Sequence, residues 1–260
     1  MSAPLLSVEH LSKSYGGVKA VQDVSFSLDR GELLVLIGPN GAGKSTCFNM
    51  LNGQVKAESG TIRIDGRDTT RLDPRRVWKL GVGRTFQITA TFASMSVREN
   101  VQVGLLARHG ALARMVGFAG RAHTKEADQL LELVGMREAA ERPSGELAYG
   151  DLKRLELAVA LSNEPSLLLM DEPTAGMAPT DRVELMRLAA EIARSRRIGI
   201  LFTEHDMDVV FEHADRIMVL DRGQIIATGT PQSVRQDPKV RAVYLGEGHL
   251  YRPAPAGAAA

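Results

Sequence analysis

The chain has 260 residues, with 32 Lys plus Arg against 31 Asp plus Glu, a formal net charge of +1. That balance gives no reason to expect a polyanion such as DNA as the main partner, although it leaves room for a local basic groove. Hydrophobic residues at 44% and charged residues at 24% exclude a wholly disordered chain. The single cysteine, Cys47, excludes a disulfide framework within one chain and reads as a small packing residue.

The N-terminal stretch MSAPLLSVEH lacks the basic-then-apolar order of a secretory signal, and no run reaches the ~18 apolar residues expected of a membrane span. The first 66 residues read as strands. Val24, Phe26 and Leu28 alternate with polar residues, as do Ile62 and Ile64 before the turn pair Asp65-Gly66. Leu33 to Ile37 is apolar throughout, as expected of a strand covered on both faces. Gly38-Pro39-Asn40-Gly41 must end it, and a helix is expected from about Lys44. From about residue 94 to 162 the pattern is helical. Ala127, Leu130, Leu131 and Val134 fall at helical spacing, and so do Leu152, Leu155 and Val159, with Glu164-Pro165 as the stop. Beyond it a strand is expected over 166–170, a helix over 181–194 and a strand over 198–203. A hairpin should then pair 217–220 with 224–228 around Asp221-Arg222-Gly223. Such alternation implies a mainly parallel α/β sheet into which the helical segment is inserted. The tail over 251–260 has almost no bulky apolar residue and is expected to be disordered.

Gly38 to Ser45 fits GxxxxGK[ST], preceded by an apolar strand and followed by a helical pattern. Glycines let the backbone turn its N–H groups onto a phosphate, and the next helix presents its positive end to the same anion. Gly38, Asn40, Gly41, Ala42, Gly43, Lys44, Ser45 and Thr46 are therefore candidate nucleotide contacts. Lys44 would bridge the β- and γ-phosphates, and the Ser45 hydroxyl would ligate Mg²⁺. Leu167 to Met170 is an apolar strand ending in Asp171 and Glu172. At the carboxyl end of a parallel strand, Asp171 can reach the Mg²⁺ shell and Glu172 can polarise an attacking water.

In this order the motifs resemble the nucleotide-binding subunit of an ABC transporter, over about residues 5–246. The resemblance implies an α/β fold: a P-loop NTPase core with a mainly parallel sheet, an N-terminal antiparallel β-subdomain and a helical signature subdomain. It implies a single domain over 1–250, with the helical insertion at about 88–162. Tyr15 stands where the family stacks an aromatic on adenine. Gln87, in Arg84-Thr85-Phe86-Gln87, matches the Q-loop that touches Mg²⁺ and faces the membrane domain. Residues 175–178 match the D-loop, and His205 the histidine that contacts the γ-phosphate. Alone, Tyr15 could be any surface tyrosine and His205 a loop histidine; the order of the motifs gives them meaning. By resemblance the catalytic residues are Glu172, His205 and Lys44, the metal ligands Ser45, Gln87 and Asp171, and the cofactors ATP and Mg²⁺.

Leu147-Ala148-Tyr149-Gly150-Asp151 occupies the place of the family signature LSGGQ. Ala148, Tyr149 and Gly150 would reach the ATP held by a partner chain. Ala148 lacks the serine hydroxyl, at a cost on the order of 1 kcal/mol for one neutral hydrogen bond. The Asp151 side chain should then point away from the nucleotide. Either the clamp is weakened or the site is degenerate; intact Lys44, Asp171, Glu172 and His205 argue against degeneracy.

Gly83-Arg84-Thr85-Phe86-Gln87, the signature itself and Val243-Tyr244-Leu245-Gly246-Glu247 resemble the branch that imports branched-chain or other hydrophobic amino acids. The likeness is to the longer of its two ATPase subunits, with residues 107–120 as the extra segment. A urea or amide importer and a lipopolysaccharide exporter are the alternatives; the exporter would be expected to keep a serine signature. A non-transport ABC ATPase acting on DNA or ribosomes fits less well, with one domain and no heptad run. The implied partners are a homologous ATPase subunit, integral membrane permease subunits and, indirectly, a solute-binding protein, with no nucleic acid. The implied place is peripheral, on the cytoplasmic face of the inner membrane. A groove beside Gln87 would receive a permease helix. Ile88, Phe92, Met95 and Val97 form an apolar patch there or pack ordinarily.

Overall fold

The computed structural model describes residues 3–85, 91–110 and 123–245, the side chains of Tyr244 and Leu245 excepted. Gln87, Ile88, most of 107–120 and the expected tail at 251–260 lie outside the described residues.

Four strands open an antiparallel sheet: β1 (Leu6–Tyr15), β2 (Val18–Leu28), β4 (Ser59–Ile64) and β5 (Arg67–Asp68), in the order β2-β1-β4-β5. β3 (Leu33–Ile37) belongs to a second sheet, with β6 (Val82–Thr85), β7 (Leu167–Asp171), β8 (Gly199–Thr203), β9 (Arg216–Asp221) and β10 (Gln224–Gly229). Its order is β10-β9-β3-β8-β7-β6, parallel except for the β9–β10 hairpin. The hairpin turns through Arg222 (φ 45) and Gly223 (φ 80), the positive-φ pair that a two-residue loop requires. Asp65 (φ 51) and Gly66 (φ 74) do the same between β4 and β5.

The apolar run of β3 has two cores to serve. Leu33, Val35 and Ile37 pack with Leu168, Met170, Ile200 and Phe202 on the helical side. Leu34 and Leu36 pack with Leu6, Val8 and Phe48 on the other, beneath the antiparallel sheet and α1 (Lys44–Leu51). A strand buried on both faces has no polar positions to alternate.

A short α2 (Pro74–Lys79) precedes β6. The helical segment then leaves β6 and returns to its parallel neighbour β7 through α3 (Val97–Arg108), α4 (Thr124–Leu133) and α5 (Tyr149–Leu161). A parallel pair needs such a crossover. α3 begins with a capping box: Ser96 Oγ accepts from Glu99 N–H, and Glu99 returns a carboxylate to Ser96 N–H. Buried Asn100 accepts from Phe92 N–H at 2.7 Å and donates to Ser96 O at 2.9 Å, so it pins the chain entering α3. α6 (Pro179–Arg196), α7 (Met207–His213), α8 (Pro231–Gln236) and α9 (Pro238–Leu245) complete the chain as described. The expected elements fall within a few residues of the observed ones. The main shift is that β7 ends at Asp171, which makes this acid part of the strand.

Candidate nucleotide site

The carboxyl ends of β3, β7 and β8 lie side by side and deliver Gly38, Asp171 and Thr203 to one end of the sheet, where open α/β sheets bind ligands. The loop after β3 is tight enough to demand glycine twice. A Cβ on Gly38 would lie 2.2 Å from Leu220 O, and one on Gly43, whose φ is 107, would lie 2.2 Å from Ala20 O. The loop is thus wedged between β2 and the end of β9. Gly223 N–H donates to Ala42 O at 2.9 Å, and Gln22 N–H to Gly223 O at 2.8 Å, so the β9–β10 turn holds it from outside.

A cleft of about 600 Å³ opens over this loop. Asn40, Gly41, Ala42, Gly43, Lys44, Ser45 and Thr46 form one wall, and Glu172 and His205 another. Lys44 is buried, and its Nζ donates to Gly38 O at 2.6 Å and Pro39 O at 3.2 Å. Burial pulls its pKa below the ordinary lysine value, against the pull of the Glu172 and Asp171 carboxylates. Lys19 and Arg222 also line the cleft. Sequence reasoning missed both, because each sits by a turn with no motif around it.

The acids are held by a residue the sequence did not flag. Thr203, buried at the end of β8, donates its hydroxyl to Asp171 Oδ1 at 2.8 Å and accepts from Glu172 N–H at 3.0 Å. Glu172 is in the left-handed region (φ 47), a strained place for a side chain of its size. Its Oε1 lies 2.8 Å from His205 Nε2, which donates to it. His205 is set in turn by Glu204, whose buried carboxylate accepts from His205 N–H at 3.0 Å and from Thr174 N–H and hydroxyl at 2.9 and 2.6 Å. Glu172 and His205 therefore meet as expected. Asp171 Oδ2 accepts from Arg84 Nη2 at 3.4 Å.

Tyr15 is 49% exposed, with Lys13 Nζ 5.3 Å from its ring centre. It stands at the end of β1 beside Gly17 and Val18, which reach the cleft, but is not itself on the wall. Ala148, Tyr149 and Gly150 also lie off the cleft of their own chain. Ala148 is the N-cap of α5 and makes no side-chain capping bond, while Tyr149 is 41% exposed.

A second, apolar groove of about 480 Å³ runs between α2, β6, α3 and α5, with Trp78, Arg84, Phe92, Val103 and Val159 on its walls. The expected apolar patch divides here. Phe92 faces the groove, Val97 is core, and Met95 does neither. Elsewhere among the described residues, His109, His123 and Glu126 converge. The two imidazoles stack at 4.3 Å with planes 2° apart, so their lone pairs lie in separate parallel planes and cannot both point in-plane at one ion.

Residues 21–175 match the ABC transporter family. The chain belongs to that family. Residues 224–250 also match the branched-chain amino acid ATP-binding cassette transporters. The high-affinity branched-chain amino acid transport ATP-binding protein LivG of Salmonella typhimurium is 41% identical over 95% of this chain and 100% of its own. The lipopolysaccharide export ATP-binding protein LptB of Haemophilus influenzae is 34% identical, over 94% and 98%. The ADP conformation of an ATP-binding cassette of an ABC transporter superposes with a TM-score of 0.86 and 32% identity, covering 95% of this chain and all of that one. The cassette is therefore a nucleotide-binding ATPase whose hydrolysis is coupled to transport.

Proposed function

We propose that this cassette powers the import of branched-chain amino acids, bound peripherally at the cytoplasmic face of the inner membrane to permease subunits that receive solute from a binding protein. It acts as one domain over 1–250 with its helical insertion at 88–162, paired with a homologous cassette. The observation that carries the hydrolytic part is the Glu172–His205 pair, 2.8 Å apart, in a cleft whose other wall is the glycine loop and Lys44. The solute class is supported by the identity to LivG along its whole length and by the match at 224–250. The lower identity to LptB and the missing signature serine at Ala148 favour import over lipopolysaccharide export.

In this reading the loop N–H groups and Lys44 hold the β- and γ-phosphates, and Tyr15 stacks on adenine. Ser45, Asp171 and Gln87 offer hard oxygen donors, a set that suits Mg²⁺. Mg²⁺ bound there supplies charge neutralisation at the phosphates. Glu172 orients the attacking water and takes up its proton, and His205 keeps the Glu172 carboxylate aimed and touches the γ-phosphate. Ala148, Tyr149 and Gly150 of a second cassette close the cleft with backbone N–H groups at the start of α5. The apolar groove beside Trp78 and Phe92 takes the permease helix.

The test is reconstitution with the co-purifying permease subunits in vesicles, with the binding protein and leucine supplied. ATP-dependent leucine uptake is expected, and Glu172→Gln should lower uptake and hydrolysis by about 10²–10⁴-fold while retaining ATP binding. Uptake of urea or amides in place of leucine would overturn the solute class. Undiminished hydrolysis by Glu172→Gln would overturn the role of Glu172.

A further inference from the structure

Arg84 joins the apolar groove to the Asp171 carboxylate at the end of β7. It lies on β6, buried to 12% exposure, and lines the apolar groove. One guanidinium nitrogen, Nη1, donates to Asn49 Oδ1 on α1 and to Gln54 Oε1, each at 3.0 Å; Gln54 also lines the groove. The other, Nη2, reaches Asp171 Oδ2 at 3.4 Å. Its neighbour Trp78 on α2 is the only tryptophan of the chain and faces the same groove.

We infer that Arg84 is a positioning residue that couples the state of the Asp171 carboxylate to the shape of the groove. Asp171 has two oxygens. Oδ1 is taken by the Thr203 hydroxyl, and Oδ2 is the one that Arg84 holds. A divalent cation at Asp171 therefore competes with a guanidinium for the same oxygen, and the two like charges repel in a site that excludes much of the water. Burial already disfavours the charged form of Arg84, and Asp171 opposes that effect. When Asp171 turns to a cation, the guanidinium loses its carboxylate. Asn49 on α1 and Gln54 on the groove wall stay among its partners. Planarity matters, because a single rigid fork spans both sides. The inference rests on the proposed cation site at Asp171 and does not depend on what docks in the groove.

The full-length chain with ADP, which cannot turn over, is titrated with MgCl₂ while Trp78 emission is recorded. ADP binding is followed separately by equilibrium dialysis at each Mg²⁺ concentration, which gives the Mg²⁺ midpoint independently of Trp78. The wild type should show a Mg²⁺-dependent change in Trp78 emission. Arg84→Met should lose that change, still bind ADP, and reach half-saturation at roughly fivefold lower Mg²⁺, the low end of an allosteric coupling. Arg84→Lys keeps a cation at Asp171 without the fork, so it should keep the wild-type Mg²⁺ midpoint and lose the emission change. Gln54→Ala, which leaves Asp171 untouched, should weaken the emission change at an unaltered midpoint, and it serves if Arg84→Met does not fold. A merely structural arginine would alter thermal stability in these variants without separating the two readouts. A wild-type Trp78 signal blind to Mg²⁺, or an unaltered signal in Arg84→Lys and Gln54→Ala, overturns the inference.

Discussion

Thr203→Val should damage the site while leaving its shape. Valine matches threonine in volume and β-branching, so β8 and its packing survive. What disappears is one hydroxyl with two bonds: 2.8 Å to Asp171 Oδ1 and 3.0 Å from Glu172 N–H. A hydrogen bond to a charged group contributes about 1.5–3 kcal/mol, and an orphaned buried N–H costs about 1–3 kcal/mol. Because the bond from Glu172 N–H is only part-buried, a combined loss of about 3 kcal/mol, toward the low end of the summed ranges, follows. At about 2–4 °C per kcal/mol for a chain near this size, Tm should fall by about 6–12 °C. If half of the loss carries into the transition state, kcat falls about tenfold, because Asp171 and Glu172 are no longer registered to each other. KM for ATP should change little, since Thr203 is not on the wall of the cleft. Steady-state ATPase assays and differential scanning calorimetry read both numbers, and Thr203→Ser should restore most of each. Wild-type kcat in Thr203→Val, or equal damage in Thr203→Ser, would refute the idea that the hydroxyl does this.

Glu172→Gln should lower ATP hydrolysis by about 10²–10⁴-fold, the usual worth of a positioned base, and leave ATP affinity within a few-fold by dialysis. The same variant should run as an ATP-dependent dimer on size exclusion. Gly43→Ala should abolish ATP binding, because its Cβ would sit 2.2 Å from Ala20 O at a φ of 107; measurable affinity near wild type would contradict the wedge. Ala148→Ser should strengthen ATP-dependent pairing by roughly fivefold, the worth of about 1 kcal/mol, as read by analytical ultracentrifugation. Cys47 is 1% exposed and burial pushes its thiol up to about 12. It should therefore resist iodoacetamide at pH 8 in the native chain and react once guanidinium unfolds it, as mass spectrometry would record.

The parts of this molecule that could be read from its sequence are those where one physical demand fills consecutive positions. β3 and β7 are covered on both faces, so their apolar runs were unmistakable. The phosphate loop was legible because close approach to Leu220 O and Ala20 O requires glycine at fixed offsets. Asp171 and Glu172 were legible because they end such a run. The supporting shell was not. Thr203 looks like any threonine in a strand, and its partners lie 32 and 31 residues away. Arg84 meets Asp171 across 87 residues, and nothing periodic records that meeting. Lys153 and Glu156, three apart, fit a solvated helix face, yet both are nearly buried and paired at 3.0 Å. Local spacing cannot tell a paired buried charge from a hydrated one.

Charge in the cleft explains why one chain is an incomplete site in the proposed mechanism. Lys44, Lys19 and Arg222 line it with positive charge, but Glu172 on the facing wall opposes them, and Arg84 is spent on Asp171. A triphosphate brings several negative charges to this near-balanced surface. The loop N–H groups and the start of α1 offset part of that charge. The rest must come from the cation at Ser45 and Asp171 and from a second α5 terminus closing over the γ-phosphate. The substitution at Ala148 makes that last contribution one of backbone and dipole alone. Because Ala148 caps α5 without a side-chain bond, the first N–H groups of that helix are not taken by their own cap. A serine there could divide its oxygen between capping its own helix and touching the partner's phosphate. The alanine leaves the helix terminus without a side-chain cap, so loss of the hydroxyl weakens the clamp without removing the helix end that attracts phosphate.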